Sequence, residues 1–126
     1  MRVTQTTIKK WVSEKLSVIA VSGGEIVAHE ALNVWTRSGW AELRSLVVKE
    51  GFRDQGIGYR LTKMLIETYR KKNKKAVFVA LKNKTEKGNG ILLDLGFKEI
   101  DIYSVPMELF TIRSYSERKA FKKAYS

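Results

Sequence analysis

The sequence contains no cysteine and only one histidine. Without cysteine, neither a disulfide framework nor a thiolate metal site can form. A single histidine argues equally against a zinc site built on imidazoles. We therefore predict no metal, and expect any chemistry to use carboxylates, hydroxyls, amines or backbone groups.

Long apolar runs are also missing. No stretch approaches the roughly 20 residues that a membrane-spanning helix needs. The first residues, MRVTQTTIKKWVSEKL, lack the apolar centre of a signal peptide. These features predict a cytoplasmic protein with no membrane partner.

Acidic residues are outnumbered: 24 Lys and Arg stand against 13 Asp and Glu, a formal charge of +11. Such a surplus favours anionic partners, namely a phosphorylated cofactor, nucleic acid or an acidic protein. The alternative is a basic surface that only maintains solubility. At 126 residues and 44% hydrophobic content, we predict one domain over residues 1–126. Its basic C-terminal segment, residues 113–126, is expected to be a helix or a frayed tail.

The first half of the chain alternates between helical and strand patterns. Apolar residues at helical spacing predict an amphipathic helix over Thr4–Leu16. Residues Ser17–Val21 and Glu25–Trp35 predict two antiparallel strands joined by a glycine turn, and Trp40–Val48 predicts a third.

The second half predicts a strand, helix and strand unit. A helix of about 15 residues is expected to start near Gly56, on the apolar periodicity that follows. The apolar run Ala76–Leu81 is typical of a buried strand parallel to the one before the helix. Beyond it we expect a helix over Thr85–Leu95 and strands at Phe97–Val105 and Met107–Ile112.

The loop Arg53–Gly58, RDQGIG, joins a strand end to a helix start. Free backbone N–H groups and the helix dipole make such a junction an anion site, and glycines allow a pyrophosphate to approach. The Gly-Lys-Ser/Thr of nucleoside triphosphatases is absent, and Leu61 replaces the third glycine of dinucleotide-binding proteins. Both of those phosphate loops are excluded.

Arg53, Gly56 and Gly58 instead resemble the acetyl-CoA loop of the GNAT superfamily, whose signature is Arg or Gln, two residues, Gly, one residue, and Gly or Ala. The strand Leu43–Val48 and the run Leu95–Phe97, LGF, also resemble this family, over roughly residues 17 to 112. The resemblance implies the GNAT fold, an α/β (α+β) protein. Its mixed, mostly antiparallel sheet is expected to have about six strands, with helices on both faces and an abbreviated N-terminus.

The resemblance also implies a cofactor site for acetyl-CoA. The strand Ala76–Leu81 is expected to splay from its neighbour and leave a wedge for the pantetheine arm. The implied contacts are backbone groups of Leu46, Val47 and Val48 for that arm, amides along Arg53, Asp54, Gln55, Gly56, Ile57, Gly58 and Tyr59 for the pyrophosphate, and additionally Thr85 and Asn89.

The implied reaction is N-acetyl transfer, in which an amine attacks the thioester directly in a ternary complex. An amine with a pKa near 10.4 is neutral in fewer than about one in a thousand molecules at pH 7, so a base is needed. Histone-type GNAT acetyltransferases resemble the segment Ala41–Leu43, which implies Glu42 as that base. The alternative is that Glu42 only pairs with Arg44 or a lysine of a neighbouring strand.

Strand alternation places the Glu42 side chain on the same face as Arg44, Leu46 and Val48. The Val48 N–H is the expected donor to the developing oxyanion.

Ribosomal-protein-acetylating members carry a glutamate and a tyrosine at the positions held here by Ala80 and Leu92. Tyr59 and Tyr103 are the alternatives as acid for the leaving thiolate. His29 is left out of the site.

The acceptor amine is not identified by the sequence. Only about 16 residues precede the first clear strand, where the family usually has a strand and two helices. In the family these elements build much of the acceptor-substrate site. Three explanations stay open: a second subunit in a homodimer completes the site, a large substrate crosses an open cleft, or the protein is a degenerate member. Protein, small-molecule and tRNA acceptors stay open.

A second hypothesis is a GNAT-like module that binds nucleic acid or protein with little catalysis. Its basic residues are the runs Lys71–Lys75 and Arg118–Lys123, with Lys82, Lys84 and Lys87. An enzyme acting on aminoacyl-tRNA would combine the two.

Overall fold

The computed structural model describes residues 1–9, 13–85, 89–109 and 117–125. Its sheet has seven strands in the order β1-β2-β3-β4-β5-β7-β6, antiparallel except where β4 runs parallel to β5. The predicted α+β class and mostly antiparallel mixed sheet are confirmed. The elements are β1 (Arg2–Lys9), β2 (Ser13–Ser22), β3 (Glu25–Trp35), β4 (Trp40–Val48), α1 (Ile57–Lys72), β5 (Val77–Asn83), α2 (Asn89–Asp94), β6 (Lys98–Ile100) and β7 (Arg118–Ala124), with 3-10 helices at Ile102–Ser104 and Met107–Leu109.

Different segments of the chain pack against the two faces of the sheet. Side chains alternate along each strand, so β5 sends Phe78 to the core under α1 and α2, and Val79 to the other side. There Val79 packs with Val105 and Leu109, which belong to the segment of the 3-10 helices. We call these the helical face and the opposite face.

Helix α1 forms where the sequence predicted it because its apolar residues recur on one side. Leu61, Leu65, Ile66 and Tyr69 are buried against the sheet. The basic last turn suits the negative end of the helix dipole, and the helix ends before Asn73.

The predicted N-terminal helix is wrong. The described part of Thr4–Leu16 forms β1 and the start of β2, which pair as an antiparallel hairpin from Arg2 with Val21 to Lys9 with Glu14. Five of the eight residues of β1 are β-branched, which favours a strand. Pairing with β2 decides the outcome, because it satisfies the backbone of both strands.

The C-terminal part also differs from the prediction. The strand expected at Phe97–Val105 is reduced to β6, and the described part of Met107–Ile112 is a 3-10 helix. The expected basic tail contains β7, which lies between β5 and β6. Ala120 and Phe121 are buried on opposite faces of the sheet, and these contacts outweigh the charged character of the segment. Helix α2 is a short part of the predicted Thr85–Leu95, of which residues 86–88 lie outside the described chain.

A β-bulge interrupts β4 at Ser45, which has a positive φ of 59°. Ala31 pairs with Arg44 and His29 with Val47, so the single residue Glu30 stands opposite both Ser45 and Leu46. The extra residue reverses the alternation of side chains beyond it.

As a result, the predicted shared face of Glu42, Leu46 and Val48 is wrong. Leu46 and Val48 pack against the core of the helical face. Glu42 lies on the opposite face, since its neighbours Ala41 and Leu43 both belong to the helical-face core. A one-residue bulge is not visible in the alternation of the sequence.

Candidate active site

A wedge opens between β4 and β5. The two strands pair in parallel from Trp40 with Val77 to Leu43 with Ala80, and the pairing ends there. Both strands continue, β4 to Val48 and β5 to Asn83, and β5 stays paired with β7 along this length. The strands therefore part, as the sequence predicted.

The loop before α1 borders a cavity of about 420 Å³ at the open end of this wedge. Gly56 caps α1 with a left-handed φ of 76°, without a side-chain cap and without an acidic residue in the first turn. The first N–H groups of a helix have no partner within it, so they remain available to an anion. The cavity lining consists of Leu46, Val48, Phe52, Arg53, Asp54, Gly56, Ile57, Gly58, Tyr59 and Ile91.

The backbone of Val48 is directed into the wedge. The neighbouring N–H of Lys49 donates to the Val27 carbonyl on β3 at 2.8 Å. Successive residues of a strand point their N–H groups to opposite sides, so the Val48 N–H points away from β3. Arg53 Nε donates to the Val48 carbonyl at 3.0 Å, which ties the loop to the strand end.

Eight of the predicted cofactor residues line this cavity, and four do not. The side chain of Val47 is 60% exposed. Gln55 is exposed, and its amide donates to the Gly51 carbonyl at 3.3 Å. Thr85 is exposed at the end of a described range. Asn89, at the start of α2, has a buried Oδ1 without a hydrogen-bond partner among the described residues.

Two lining residues were missed by the sequence reasoning. A Cβ placed on Gly58 would lie 3.3 Å from both Ile91 Cδ1 and Leu46 Cδ2, so α2 closes tightly on the start of α1. Nothing local in the sequence indicates this contact. Phe52 directly precedes the predicted loop Arg53–Gly58, and this position was the available signal.

Glu42 is nearly enclosed, at 3% exposure. Its Oε1 accepts from Trp35 Nε1 at 3.2 Å and lies 3.9 Å from Arg44 Nε. Burial raises the pKa of Glu42, while the charge of Arg44, the Trp35 hydrogen bond and the charge of Arg118 oppose this rise. Glu42 pairs with Val79, one step before the wedge opens. The predicted contact with Arg44 is therefore present together with a position beside the wedge.

A second buried carboxyl, Glu30, was not predicted. It lies on β3 at 2% exposure, under α1, where Thr62 Oγ1 donates to its Oε1 at 2.6 Å. Burial raises its pKa from 4.5 to about 7, against the Thr62 hydrogen bond and the Lys82 charge. The sequence signal was a glutamate within a strand of mostly apolar residues.

Ala80 and Leu92 are buried in the core. Tyr59 borders the cavity and Tyr103 is 72% exposed. Across the described ranges, no group of three or more His, Cys, Asp or Glu side chains is arranged to hold a metal ion. No helix in the same ranges is long and apolar enough to cross a membrane.

The sequence profile of the acetyltransferase (GNAT) family matches residues 2–97. This match spans most of the chain, and the chain belongs to the acetyltransferase (GNAT) family. A comparison with the curated proteins gave no match.

Solved structures share the fold. A GNAT-family acetyltransferase from Staphylococcus aureus Mu50 has a TM-score of 0.72 at 18% identity, covering 87% of this chain and 67% of its own. N-acetylglutamate synthase from Neisseria gonorrhoeae, complexed with coenzyme A and N-acetyl-glutamate, has a TM-score of 0.70 at 17% identity, covering 87% and 26%. The PaiA N-acetyltransferase from Thermoplasma acidophilum, in complex with coenzyme A, has 0.67 at 18%, covering 88% and 61%. The chain thus spans only part of these relatives.

Proposed function

We propose that this protein transfers an acetyl group from acetyl-CoA to an amine, by direct attack within a ternary complex. The carrying observation is that the uncapped start of α1 borders the wedge between β4 and β5, and that strand pairing ends one residue pair beyond the buried carboxyl of Glu42. The coenzyme A in two of the similar structures supports the choice of cofactor.

The residues at the wedge fit this cofactor. The amides at the start of α1 and the Arg53 side chain would hold the pyrophosphate. The exposed backbone edge of Leu46 to Val48 would pair with the amides of the pantetheine arm. Asn89 Oδ1 is buried without a hydrogen-bond partner among the described residues, and it would accept a hydrogen bond from the bound cofactor, because leaving such an atom unpaired is costly.

The bound cofactor supplies a thioester-activated acetyl group. Negative charge develops on its carbonyl oxygen during attack, and a backbone N–H aimed at that oxygen stabilises it. The Val48 N–H points into the wedge and takes this role. Removing a donor of this kind typically costs roughly 10² or more in rate.

Glu42 receives the proton of the attacking amine. The raised pKa strengthens this carboxylate as a base, and the resemblance of its segment to histone-type members supports the assignment. Since only 3% of Glu42 is exposed, we expect an intervening water to carry the proton. The leaving thiolate, with a pKa of roughly 8.5, can be protonated by solvent or by Tyr59 at the cavity.

The test is thermal unfolding during titration with acetyl-CoA, with ADP as the control for phosphate binding alone. A ligand at about 100 times its Kd adds about 2.7 kcal/mol of stability, a shift of several degrees for this size. A shift produced by acetyl-CoA and not by ADP supports the proposal, and no shift at millimolar concentration refutes it.

Acceptors can then be screened by release of the CoA thiol. The chain has no cysteine, so a thiol reagent reports the product without background from the protein. Small amines, peptides and aminoacyl-tRNA are the three classes to compare.

A further inference from the structure

The positive charge of the chain is concentrated on one helix and the turn that follows it. Residues 57–75 contain seven Lys and Arg and a single acid, Glu67, a net charge of +6. The whole chain has +11, so these 19 residues carry more than half of the surplus. A cofactor pyrophosphate at the start of α1 does not account for cations at its other end.

Most of the exposed cations of α1 form a stripe along one side of the helix, which the exposed acid Glu67 interrupts. Arg60, Lys63, Arg70 and Lys71 are exposed and recur at helical spacing on the side away from the sheet. Lys74 extends the stripe beyond the helix end, where it borders a shallow depression with Glu67, Arg70 and Lys71. We call these five residues the basic helix face. From Arg60 to Lys71 it spans about 16 Å at 1.5 Å per residue.

Glu67 lowers the charge of the basic helix face to a net +4, but in the part of the chain that the structure describes it forms no ion pair with these cations. The ion pairs found there join Glu42 to Arg44, Glu25 to Lys49 and Glu99 to Lys119. The Arg70 guanidinium instead lies 3.9 Å above the centre of the Tyr125 ring, which holds its charge in place without cancelling it.

We propose that the basic helix face binds the sugar-phosphate backbone of a nucleic-acid duplex. Each strand of a duplex presents one phosphate charge per about 3.4 Å of the axis, so a 16 Å stripe faces about five charges of one strand. A straight row of cations on a rigid helix matches such a regular line of anions. Base reading is not implied, since phosphate contacts carry no sequence information.

Two other polyanions fit less well. A helix that lies on a membrane inserts its apolar side, whereas the apolar side of α1 is buried against the sheet. A single strand needs open aromatic rings for stacking. The rings nearest to the stripe, Tyr59 and Tyr125, are approached by Lys63 at 6.0 Å and Arg70 at 3.9 Å.

This surface is separate from the proposed acceptor side. Helix α1 covers the helical face, and Glu42 lies on the opposite face. The inference therefore stands whether or not the acetyltransferase proposal holds.

The experiment measures fluorescence anisotropy of labelled RNA and DNA duplexes of about 20 base pairs at several salt concentrations. The variant is Lys71→Glu with Lys74→Glu. Its matched control is Arg2→Glu with Lys98→Glu, which removes the same charge from exposed residues of β1 and β6. Phosphatidylserine vesicles and poly-glutamate test the other polyanions.

We expect salt-dependent binding of both duplexes by the wild-type protein. The Lys71 and Lys74 variant should bind at least 10-fold more weakly near 0.1 M salt, with a salt slope reduced by about 2. The control should stay within about 3-fold of wild type, because its charges lie on β1 and β6 and are not part of the basic helix face.

An equal loss in both variants would show that net charge alone binds the duplex, and would overturn the assignment to α1. Stronger binding to vesicles or poly-glutamate than to duplex, or no duplex binding at low salt, would also overturn it. Should the reversal variant fail to fold, Lys71→Gln with Lys74→Gln repeats the comparison against Arg2→Gln with Lys98→Gln.

Discussion

The indole Nε1 of Trp35 donates a hydrogen bond of 3.2 Å to Oε1 of Glu42. The two residues lie on adjacent strands, β3 and β4, two pairs of the ladder apart, since Glu42 pairs with Asn33. This bond favours the ionised carboxylate and opposes the effect of burial on its pKa. Together with burial and the charge of Arg44, a residue seven positions earlier therefore contributes to the strength of the proposed base.

Replacing Trp35 with Phe removes this donor, so the pKa of Glu42 should rise further. The rising limb of the pH profile of kcat/KM should move to higher pH, with a larger loss of activity at low pH than at high pH. Trp40→Phe is the control. The Trp40 ring lies under the Lys122 ammonium at 5.0 Å, so this variant also loses an indole but keeps the Trp35 donor to Glu42. Identical profiles for the two variants would contradict the role of Trp35.

Glu42→Gln tests the base itself. Acetyl-CoA affinity should be retained, while turnover falls by about 10²-fold or more. Part of the rate should return at high pH as the free amine accumulates. Glu30→Gln changes a similarly buried carboxyl on the helical face and should keep its turnover. If Glu42→Gln retains full activity, Glu42 has only a structural role.

Gly56→Glu tests the anion site at the start of α1. The new carboxylate would repel the pyrophosphate and compete for the free amides, so acetyl-CoA affinity should fall by about 100-fold or more. Gly56→Ala carries the same strain at the positive φ of 76° without the charge, and a Cβ there meets open space. Isothermal calorimetry should show a lower acetyl-CoA affinity for Gly56→Glu than for Gly56→Ala. Equal affinities of the two variants would contradict the site assignment.

Asn89→Leu tests the buried Oδ1, which has no hydrogen-bond partner within the described ranges. Removing an unsatisfied polar atom should leave the melting temperature of the free protein unchanged or higher. Acetyl-CoA affinity should fall by about tenfold, which corresponds to about 1.4 kcal/mol for one hydrogen bond. A variant that melts lower but binds the cofactor normally would assign Asn89 to the fold instead.

Glu30 should make the protein less stable as pH rises. Its folded pKa of about 7 lies above the ordinary 4.5. Below 4.5 both states are protonated. Between these values the folded state keeps a proton that the unfolded state loses, so stability falls, by about 3 kcal/mol in total, and then levels off above 7.

Glu30→Gln keeps an acceptor for Thr62 and carries no charge. Urea unfolding near pH 5 and pH 8 should show a smaller pH dependence in this variant, and greater stability than wild type at the higher pH. Glu42 contributes in both proteins and cancels in the comparison. The same difference between variant and wild type at both pH values would contradict the assignment.

The sequence alone determined the elements in the middle of the chain, from β3 to β5. The bounds of β3 and β4, the position of α1, the buried β5 and the loop Arg53–Gly58 all follow from local signals. Strand alternation, helical spacing and glycine turns act over a few residues, so they can be read without knowing the fold.

Only the tertiary structure decided which faces those elements present and what joins them. The bulge at Ser45 places Glu42 opposite Leu46, and the burial of Glu30 follows from the packing of α1. The contact of Ile91 with Gly58 and the insertion of β7 between β5 and β6 likewise join residues distant in sequence. Register and burial depend on partners elsewhere in the chain, and a local pattern contains no information on which partner is chosen.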